Sequence, residues 1–318
     1  MADKKKSYTV RYDRIFGALG LFLCFVLLVS GMTSCMKRIK ENKNPETSGL
    51  SSDVSTEQTE QQLKNYPSVS IETEKIHSGI LILVNQAFPC LFDKTAVENG
   101  TSSDISFVTI KSILDTKTSA VKPYTAADWE VGLDRVAALA MDDWFEDFYE
   151  QSGHNDLRMI GGYKPEATDP DFETGRTLTV GIFPETGSSY AYKPEGDYTW
   201  LAEHAADYGF VLRYPEGKEN YFDETVTERR TATFRYVGLP AAAYMRENGL
   251  CLEEFLQEIK AYRIDNMLNI TAGGKTYSMY YTQANTADTV TNFYLPSDDA
   301  SYDVSGNNMD GFIITIYE

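Results

Sequence analysis

Short apolar runs alternate with turn residues along most of the chain and predict a mixture of strands and helices. Runs rich in β-branched and aromatic residues, bounded by Gly, Pro, Asn or Ser, are typical of strands. Such runs cover residues 79–85, 105–110, 157–160, 176–183, 210–214, 231–238, 274–284, 289–295 and 311–317. Helical patterns lie between them without regular βαβ alternation. The class predicted is therefore α+β, with an antiparallel sheet and flanking helices.

Apolar residues spaced three and four positions apart predict the helices. The longest one is predicted to begin at Thr125, with Asp128 in the capping-box position. Its apolar face consists of Leu133, Val136, Ala140, Trp144 and Phe148. Shorter helices are predicted over residues 197–209, 240–249 and 252–263. The first two of these end at a glycine, which readily adopts the left-handed conformation found after helices.

Residues 15–36 form an uncharged stretch of 22 positions near the N-terminus. As a helix it would span roughly 33 Å, enough to cross the hydrocarbon core of a membrane. This predicts a transmembrane anchor, with residues 1–14 as a cytoplasmic tail and everything after the anchor outside the cell. A cleaved signal with a lipoprotein-type cysteine at Cys35 is the alternative, and it also exports the rest of the chain.

Three further segments follow the predicted anchor. Residues 37–75 are rich in Ser, Thr, Glu, Gln and Asn, which predicts a flexible stalk. Residues 76–264 hold the mixed helices and strands of the main domain, and residues 265–318 are predicted to form a small C-terminal β-rich appendix.

Charge and cysteine content exclude some kinds of function. The 318 residues carry a net charge of −18, and a strongly acidic surface repels the phosphates of nucleic acids. No CxxC or CxxH pair suggests a zinc knuckle. Two cysteines, Cys90 and Cys251, follow the stalk, and the sequence leaves open whether they form a disulfide or remain two thiols.

Several spaced motifs between residues 125 and 260 occur in an order that is specific to one kind of protein. They are Trp200-Leu201, Gly209-Phe210, Arg213-Tyr214-Pro215, Gly217-Lys218, Phe234 to Gly238, and Leu252-Glu253-Glu254. Upstream, Gly161-Gly162-Tyr163-Lys164 is similar to a Ser-Gly-Tyr-Arg turn. This set resembles the VanY-type D-alanyl-D-alanine carboxypeptidases of the LAS zinc-peptidase group. The resemblance implies their α+β peptidase fold and a location at the bacterial cell wall.

The resemblance also implies where a zinc site would lie. The family holds zinc with a His and an Asp of one motif and a second His that follows the general-base Glu. Counting from the Thr-Gly motif Thr174-Gly175 puts the first His on Phe172 and the Asp on Thr179. Counting from Phe234-Arg235-Tyr236 puts the base on Arg230 and the second His on Thr233. None of these side chains is an imidazole, thiolate or carboxylate, the groups that bind zinc. We therefore expect a degenerate member with no catalytic residues and no zinc or other cofactor.

Other candidate ligands have less support from their spacing. The histidines His77, His154 and His204 have no metal-ligand spacing to one another. Acidic residues crowd the Thr-Gly motif, and a hard cation such as Ca²⁺ is one interpretation of them. They are Asp169, Asp171 and Glu173. A solvated acidic loop is the simpler interpretation.

These observations favour a non-catalytic, membrane-anchored extracellular protein that binds peptidoglycan stem peptides. Lys164 and Arg230, with Tyr163 beside them, are the candidates for holding a peptide carboxylate, because two cations in one pocket attract an anion. Structural ion pairing of both cations is the alternative for those residues. An active carboxypeptidase with unusual metal ligands is the alternative function. A structural partner of a membrane complex, contacting it through the acidic residues of the 142–150 helix, is the third. The protein partner in that case is unknown.

Overall fold

The computed structural model divides the chain into two compact units, Met1–Gln62 and Leu63–Glu318. It describes residues 65–103, 105–164, 170–221 and 231–318, all of which belong to the second unit. The predicted cytoplasmic tail, the anchor over residues 15–36 and Cys35 lie outside the described residues. Among the residues that are described, no helix is both long and apolar enough to cross a membrane.

The second unit contains helices and mostly antiparallel strands without regular βαβ alternation, as in an α+β protein. The strands are β1 Ser68–Glu72, β2 Phe107–Thr109, β3 Tyr124–Ala126, β4 Gly132–Asp134, β5 Leu157–Gly161, β6 Thr177–Ile182, β7 Tyr190–Ala191, β8 Phe210–Leu212, β9 Thr233–Tyr236, β10 Leu268–Ala272, β11 Lys275–Gln283, β12 Val290–Tyr294, β13 Ser301–Gly306 and β14 Gly311–Tyr317. The helices are α1 Lys94–Glu98, α2 Ile110–Thr116, α3 Arg135–Ser152, α4 Pro170–Glu173, α5 Thr199–His204, α6 Leu239–Asn248 and α7 Leu252–Glu258. The α+β class predicted from the sequence is confirmed.

The central sheet has the strand order β3-β5-β6-β9-β8, with β7 added to β6. Only the β3–β5 pair is parallel. Side chains alternate between the two faces of each strand. Leu178, Val180 and Phe234 join Trp144 of α3 in the main apolar core. Thr177, Thr179, Thr233 and Arg235 take the intervening positions, so β6 and β9 present a polar row on the other face.

The long helix begins ten residues later than its apolar pattern predicts, at Arg135 instead of Thr125. Two interactions, one with a distant strand and one within the turn, explain the difference. Tyr124–Ala126 pair in parallel with Leu157–Met159, which commits Thr125 to a strand. The Asp128 carboxylate accepts hydrogen bonds from the backbone N–H groups of Glu130 and Val131, and this forms a turn instead of a helix cap.

The apolar run at 79–85 is buried but does not form the predicted strand. Most of its backbone hydrogen bonds are to side chains, and its few backbone partners lie in loops and not in a neighbouring strand. The Ile82 carbonyl accepts from Arg235 at 3.1 Å, and the Leu81 N–H donates to the Ser305 hydroxyl at 2.9 Å. Burial therefore follows the hydrophobic pattern, whereas the hydrogen-bond partners come from distant parts of the chain.

The C-terminal strands share a core with the helices that precede them. The sheet β10-β11-β14-β13 contributes Leu268, Met279 and Ile313 to a cluster that also holds Ala241 and Phe255 of α6 and α7. The predicted boundary between residues 264 and 265 therefore passes near a continuous core. The predicted stalk differs as well, because its residues Ser68–Glu72 pair with Val290–Tyr294.

Cys90 and Cys251 are both free thiols in the described part of the chain. Cys251 is fully buried at the start of α7. Burial raises the pKa of its thiol to about 12. Since the thiolate is the reactive form, Cys251 is protected from alkylation at neutral pH.

We expect iodoacetamide to modify Cys251 about a thousandfold more slowly in the folded chain than in urea at pH 8. Mass spectrometry of the peptide that contains Cys251 measures this rate. The folded state holds the thiol proton more tightly than the unfolded state does. The free energy of unfolding is therefore expected to fall as the pH rises from about 9 to about 12, and Cys251→Ala removes this part of the pH dependence. Equal alkylation rates in both states would contradict the burial of this thiol.

Candidate functional site

Three of the four positions that the resemblance marks as metal or catalytic positions meet on the polar face of the central sheet. Thr179 of β6 pairs with both Gly161 of β5 and Thr233 of β9. A Cβ atom on Gly161 would lie 2.9 Å from the Phe172 ring and 3.0 Å from the Thr179 hydroxyl. Phe172, Thr179 and Thr233 therefore surround one point, which we call the candidate site. Arg230 lies outside the described residues.

The chemistry at the candidate site does not suit zinc. The hydroxyls of Thr179 and Thr233 hydrogen-bond to each other at 2.9 Å, and both residues are almost fully buried. Phe172 supplies a ring with no lone pair. Zinc sites in proteins use imidazole, thiolate or carboxylate ligands, and the described residues contain no cluster of three or more such groups. The residues present here do not fit the metal.

Buried ion pairs lie close to the candidate site. Arg213 donates to both carboxylate oxygens of Glu253, at 2.9 and 3.1 Å, and its Nε donates to Asp171 at 3.3 Å. All three side chains are at least nine-tenths buried. The two carboxylates raise the pKa of the Arg213 guanidinium against the opposing effect of burial. Because Arg213 directly follows β8 and bonds to both carboxylates, it fixes the positions of α4 and α7 relative to the end of β8.

Two of the acidic residues near the Thr-Gly motif also form ion pairs. Asp171 is engaged by Arg213, and Glu173 accepts from Lys94 at 2.5 Å. Asp169 lies outside the described residues. Two of the three acidic groups considered as a calcium site thus bond to cationic side chains.

Arg235 is the most buried cation of the polar face. Its guanidinium donates to the Thr174 hydroxyl at 2.5 Å and to the Ile82 carbonyl at 3.1 Å. Its Nε has no partner among the described residues. Burial lowers the pKa of Arg235 to about 9, and repulsion from Arg176 and Arg213 acts in the same direction. Arg235 therefore anchors the buried 79–84 segment to the sheet through neutral acceptors.

Tyr163 and Lys164, the residues predicted to hold a peptide carboxylate, follow the end of β5. The Tyr163 hydroxyl is buried with no partner in the described part of the chain, and burial raises its pKa. Lys164 forms an ion pair with Asp128, and this hydrogen bond lowers the pKa of the Asp128 carboxyl. Both residues lie within three positions of Gly161. Their role in binding a ligand stays a prediction.

The histidines lie in separate places, as their spacing indicates. His77 bonds to Asn308 at 2.6 Å, His154 to Asp197 at 3.0 Å and His204 to Asp207 at 2.9 Å. Two of the acidic residues of α3, Asp142 and Glu146, form ion pairs with Lys117.

The sequence analysis identified Arg213 and Glu253 as motif residues but assigned them no role. The signal that was available is an arginine at the end of the apolar run FVLR, at 210–213. A charged residue in that setting is almost never fully buried unless it is paired. Its partner lies forty positions away, and short-range patterns do not specify such a pairing.

Comparison with known proteins shows what the chain is similar to. No family model matches the chain. A D-alanyl-D-alanine carboxypeptidase of Enterococcus faecium is 28% identical over 260 residues, which cover 80% of each chain. The chain is a homologue of this carboxypeptidase. The vancomycin-resistance D,D-dipeptidase VanXYg, solved with a D-Ala-D-Ala phosphinate analog, matches with a TM-score of 0.58 and 26% identity. That match covers 79% of this chain and 99% of VanXYg.

A third match corrects the expectation about cofactors. A point mutant of the D,D-pentapeptidase VanY from a VanB-type resistance cassette was solved in complex with Zn(II). It is 18% identical to this chain, with a TM-score of 0.37, and the match covers 56% of this chain and 98% of VanY. The expectation of a protein without any cofactor is therefore wrong as stated.

Proposed function

We propose that the chain binds peptides ending in D-Ala-D-Ala, as found in peptidoglycan, and does not hydrolyse them. Homology to a D-alanyl-D-alanine carboxypeptidase and the match to VanXYg support the peptide class. The observation that carries the non-catalytic part is the geometry of the candidate site. Phe172, Thr179 and Thr233 supply one aromatic ring and two mutually bonded hydroxyls at the three positions.

Lys164 and Arg230 are the residues proposed to bind the terminal carboxylate. Both carry a fixed positive charge at neutral pH, and hydrogen bonds between ions are about twice as strong as neutral ones. The ammonium of Lys164 has three donors, so its ion pair with Asp128 leaves others for a ligand. Tyr163 lies beside it with a buried hydroxyl that has no partner in the described ranges.

The location proposed for this function is the outer face of the cell membrane. Residues 15–36 are the proposed anchor, and a lipid on Cys35 is the alternative attachment. The test is extraction of the membrane fraction. A chain that detergent releases and alkaline carbonate does not would support the anchor, whereas release by carbonate would exclude it.

One experiment on the full-length chain with Zn(II) present distinguishes peptide binding from peptide hydrolysis. Calorimetry measures the Kd for acetyl-Lys-D-Ala-D-Ala, and mass spectrometry measures the release of D-alanine. We expect binding with no release of D-alanine above the buffer control. Lys164→Gln and Arg230→Gln are each expected to weaken binding about tenfold, a loss of roughly 1.4 kcal/mol.

A peptide that ends in a carboxamide is the matched control, because it lacks the charge that the two cations would hold. Equal binding of both peptides would remove the carboxylate-binding role of Lys164 and Arg230. Steady release of D-alanine would instead establish the alternative, an active carboxypeptidase. The observation that favours the alternative is the 28% identity to the Enterococcus faecium enzyme.

A further inference from the structure

Arg235 is a buried cation whose hydrogen bonds are all to neutral groups. It is 2% exposed, and a guanidinium has five N–H donors. One terminal nitrogen donates to the hydroxyls of Thr174 and Thr177, and the other donates to the carbonyls of Ile80 and Ile82. These four bonds use every donor except the Nε–H group. The Nε atom is buried and has no partner among the described residues.

The two arginines that lie near Arg235 differ from it because they have carboxylate partners. Arg213 is held by two buried carboxylates, and Arg176 pairs with Asp134 at 3.2 Å. Arg235 forms no ion pair within the part of the chain that the structure describes, and both neighbouring arginines repel it. A fully buried charge without an opposite charge is rare, because an ion loses its hydration when it is buried. Arg235 therefore offers a positive charge and one donor to an anion.

The surroundings of Arg235 favour a small anion over a large one. The two threonines that bond to the guanidinium, Thr174 and Thr177, are fully buried. A phosphate or a carboxylate has several acceptor atoms that need donors, and only the Nε–H of Arg235 has no acceptor in the described ranges. A monatomic anion places its whole charge on one acceptor atom. Because a guanidinium is more weakly hydrated than an ammonium, it forms buried ion pairs readily.

Cys90 lies within electrostatic reach of the same positive charge. Burial raises the pKa of its thiol, and the charges of Arg235 and Arg176 oppose this rise. The thiol is only partly buried, and its reaction with an alkylating agent proceeds through the thiolate. An anion on Arg235 cancels one of the two opposing charges and so lowers the fraction of thiolate. The alkylation rate of Cys90 therefore reports whether Arg235 holds an anion.

We propose that Arg235 binds a monovalent, monatomic anion of the chloride class through its Nε–H group. The ion neutralises the guanidinium that attaches the buried 79–84 segment to the central sheet, so its role is structural. The site is separate from Lys164 and Arg230, the residues proposed to bind the terminal carboxylate of a peptide.

The experiment measures urea unfolding of the full-length chain in sodium chloride and in sodium gluconate of the same ionic strength. Tryptophan fluorescence follows the unfolding, and the linewidth of the chloride NMR signal gives the Kd of chloride separately. A ligand of the folded state alone lowers the equilibrium constant for unfolding. We expect a decrease of about tenfold at a chloride concentration ten times its Kd. In the folded chain, iodoacetamide is expected to modify Cys90 about threefold more slowly in chloride than in gluconate.

Two variants locate the ion. Arg235→Gln is expected to lose both the stabilisation by chloride and the broadening of its NMR signal. Arg246→Gln is the matched control, because Arg246 is an arginine that is 46% exposed and pairs with Asp207. Its responses to chloride are expected to equal those of the unmodified chain. If Arg235→Gln does not fold, the unfolding of the unmodified chain and the alkylation rate of Cys90 decide the matter, since neither needs a variant.

Equal unfolding of the unmodified chain in chloride and in gluconate would overturn this proposal and assign the Nε–H group to a neutral partner. A chloride effect that persists in Arg235→Gln, or that leaves the alkylation of Cys90 unchanged, would place the ion elsewhere and also overturn it. These outcomes leave the proposed function standing. If acetyl-Lys-D-Ala-D-Ala displaces the chloride, Arg235 belongs to the peptide site and the separate anion site is overturned.

Discussion

Arg213→Ala is expected to lower the free energy of unfolding by about 3–5 kcal/mol, because it leaves two buried carboxylates without their common cation. Glu253 loses two hydrogen bonds and Asp171 loses one. The side chains are between 3 and 10% exposed, so water cannot compensate for the lost bonds. Urea unfolding of the full-length chain, followed by circular dichroism, measures the loss.

Two further variants show whether the loss comes from burial and geometry. Arg213→Lys keeps the charge but not the planar fork that reaches both oxygens of Glu253, so an intermediate loss is expected. Lys111→Ala breaks an ion pair whose side chains are at least half exposed, and its effect is expected to stay below about 1 kcal/mol. If Arg213→Ala were no more destabilising than Lys111→Ala, the buried network would not hold the fold together.

Trp144→Ala is expected to destabilise the protein by about 3–5 kcal/mol, the usual cost of removing a large buried aromatic side chain. Trp144 is fully buried between α3 and the central sheet. Its ring centroid lies 5.0 Å from that of Phe234, 5.2 Å from Phe145 and 5.3 Å from Phe210. The variant opens a cavity at the centre of these rings.

Trp144→Phe separates packing from polarity at this position. The indole N–H of Trp144 is buried and has no partner among the described residues. A buried donor without a partner itself destabilises the fold. Phenylalanine removes this donor and keeps most of the ring contacts, so we expect a loss of about 1 kcal/mol or less. The same urea experiment applies, and equal losses in both variants would show that the cavity is not the main term.

The two faces of the central sheet differ in character, and the candidate site lies on the polar one. The aromatic core around Trp144 packs on one face, and the polar face carries Thr179, Thr233 and Arg235. The similar D,D-dipeptidase VanXYg was solved with a D-Ala-D-Ala phosphinate analog. In this chain the polar face holds a ring and two hydroxyls that bond to each other. The proposal of peptide binding without hydrolysis rests on the chemistry of these three side chains.

Thr179 and Thr233 lie next to each other at the candidate site because the two strands that carry them are paired. The ligand positions were assigned by counting from Thr174-Gly175 and from Phe234-Arg235-Tyr236. Those motifs lie on or beside β6 and β9, which pair antiparallel. Positions counted from the two motifs therefore lie opposite each other in the sheet. Thr179 and Thr233 accordingly lie together and hydrogen-bond to each other at 2.9 Å.

The errors of the sequence analysis have a common cause as well. The helix predicted from Thr125 and the strand predicted over 79–85 both obey local apolar patterns. Their hydrogen bonds depend on partners that are distant in the chain, such as Met159 for β3 and Arg235 for the 79–84 segment. Tertiary interactions commonly override a local preference of this kind.

The sequence by itself determined the α+β class, most of the strands, the glycine-ended helices and the family that the chain resembles. These features depend on side-chain alternation and on motifs that span a few residues. Only the tertiary structure decided which charged side chains meet. Arg213 meets Glu253 across forty positions, and Lys164 meets Asp128 across thirty-six. Such pairs arise when the packing of the whole core sets the register and orientation of its elements, and no local pattern encodes them.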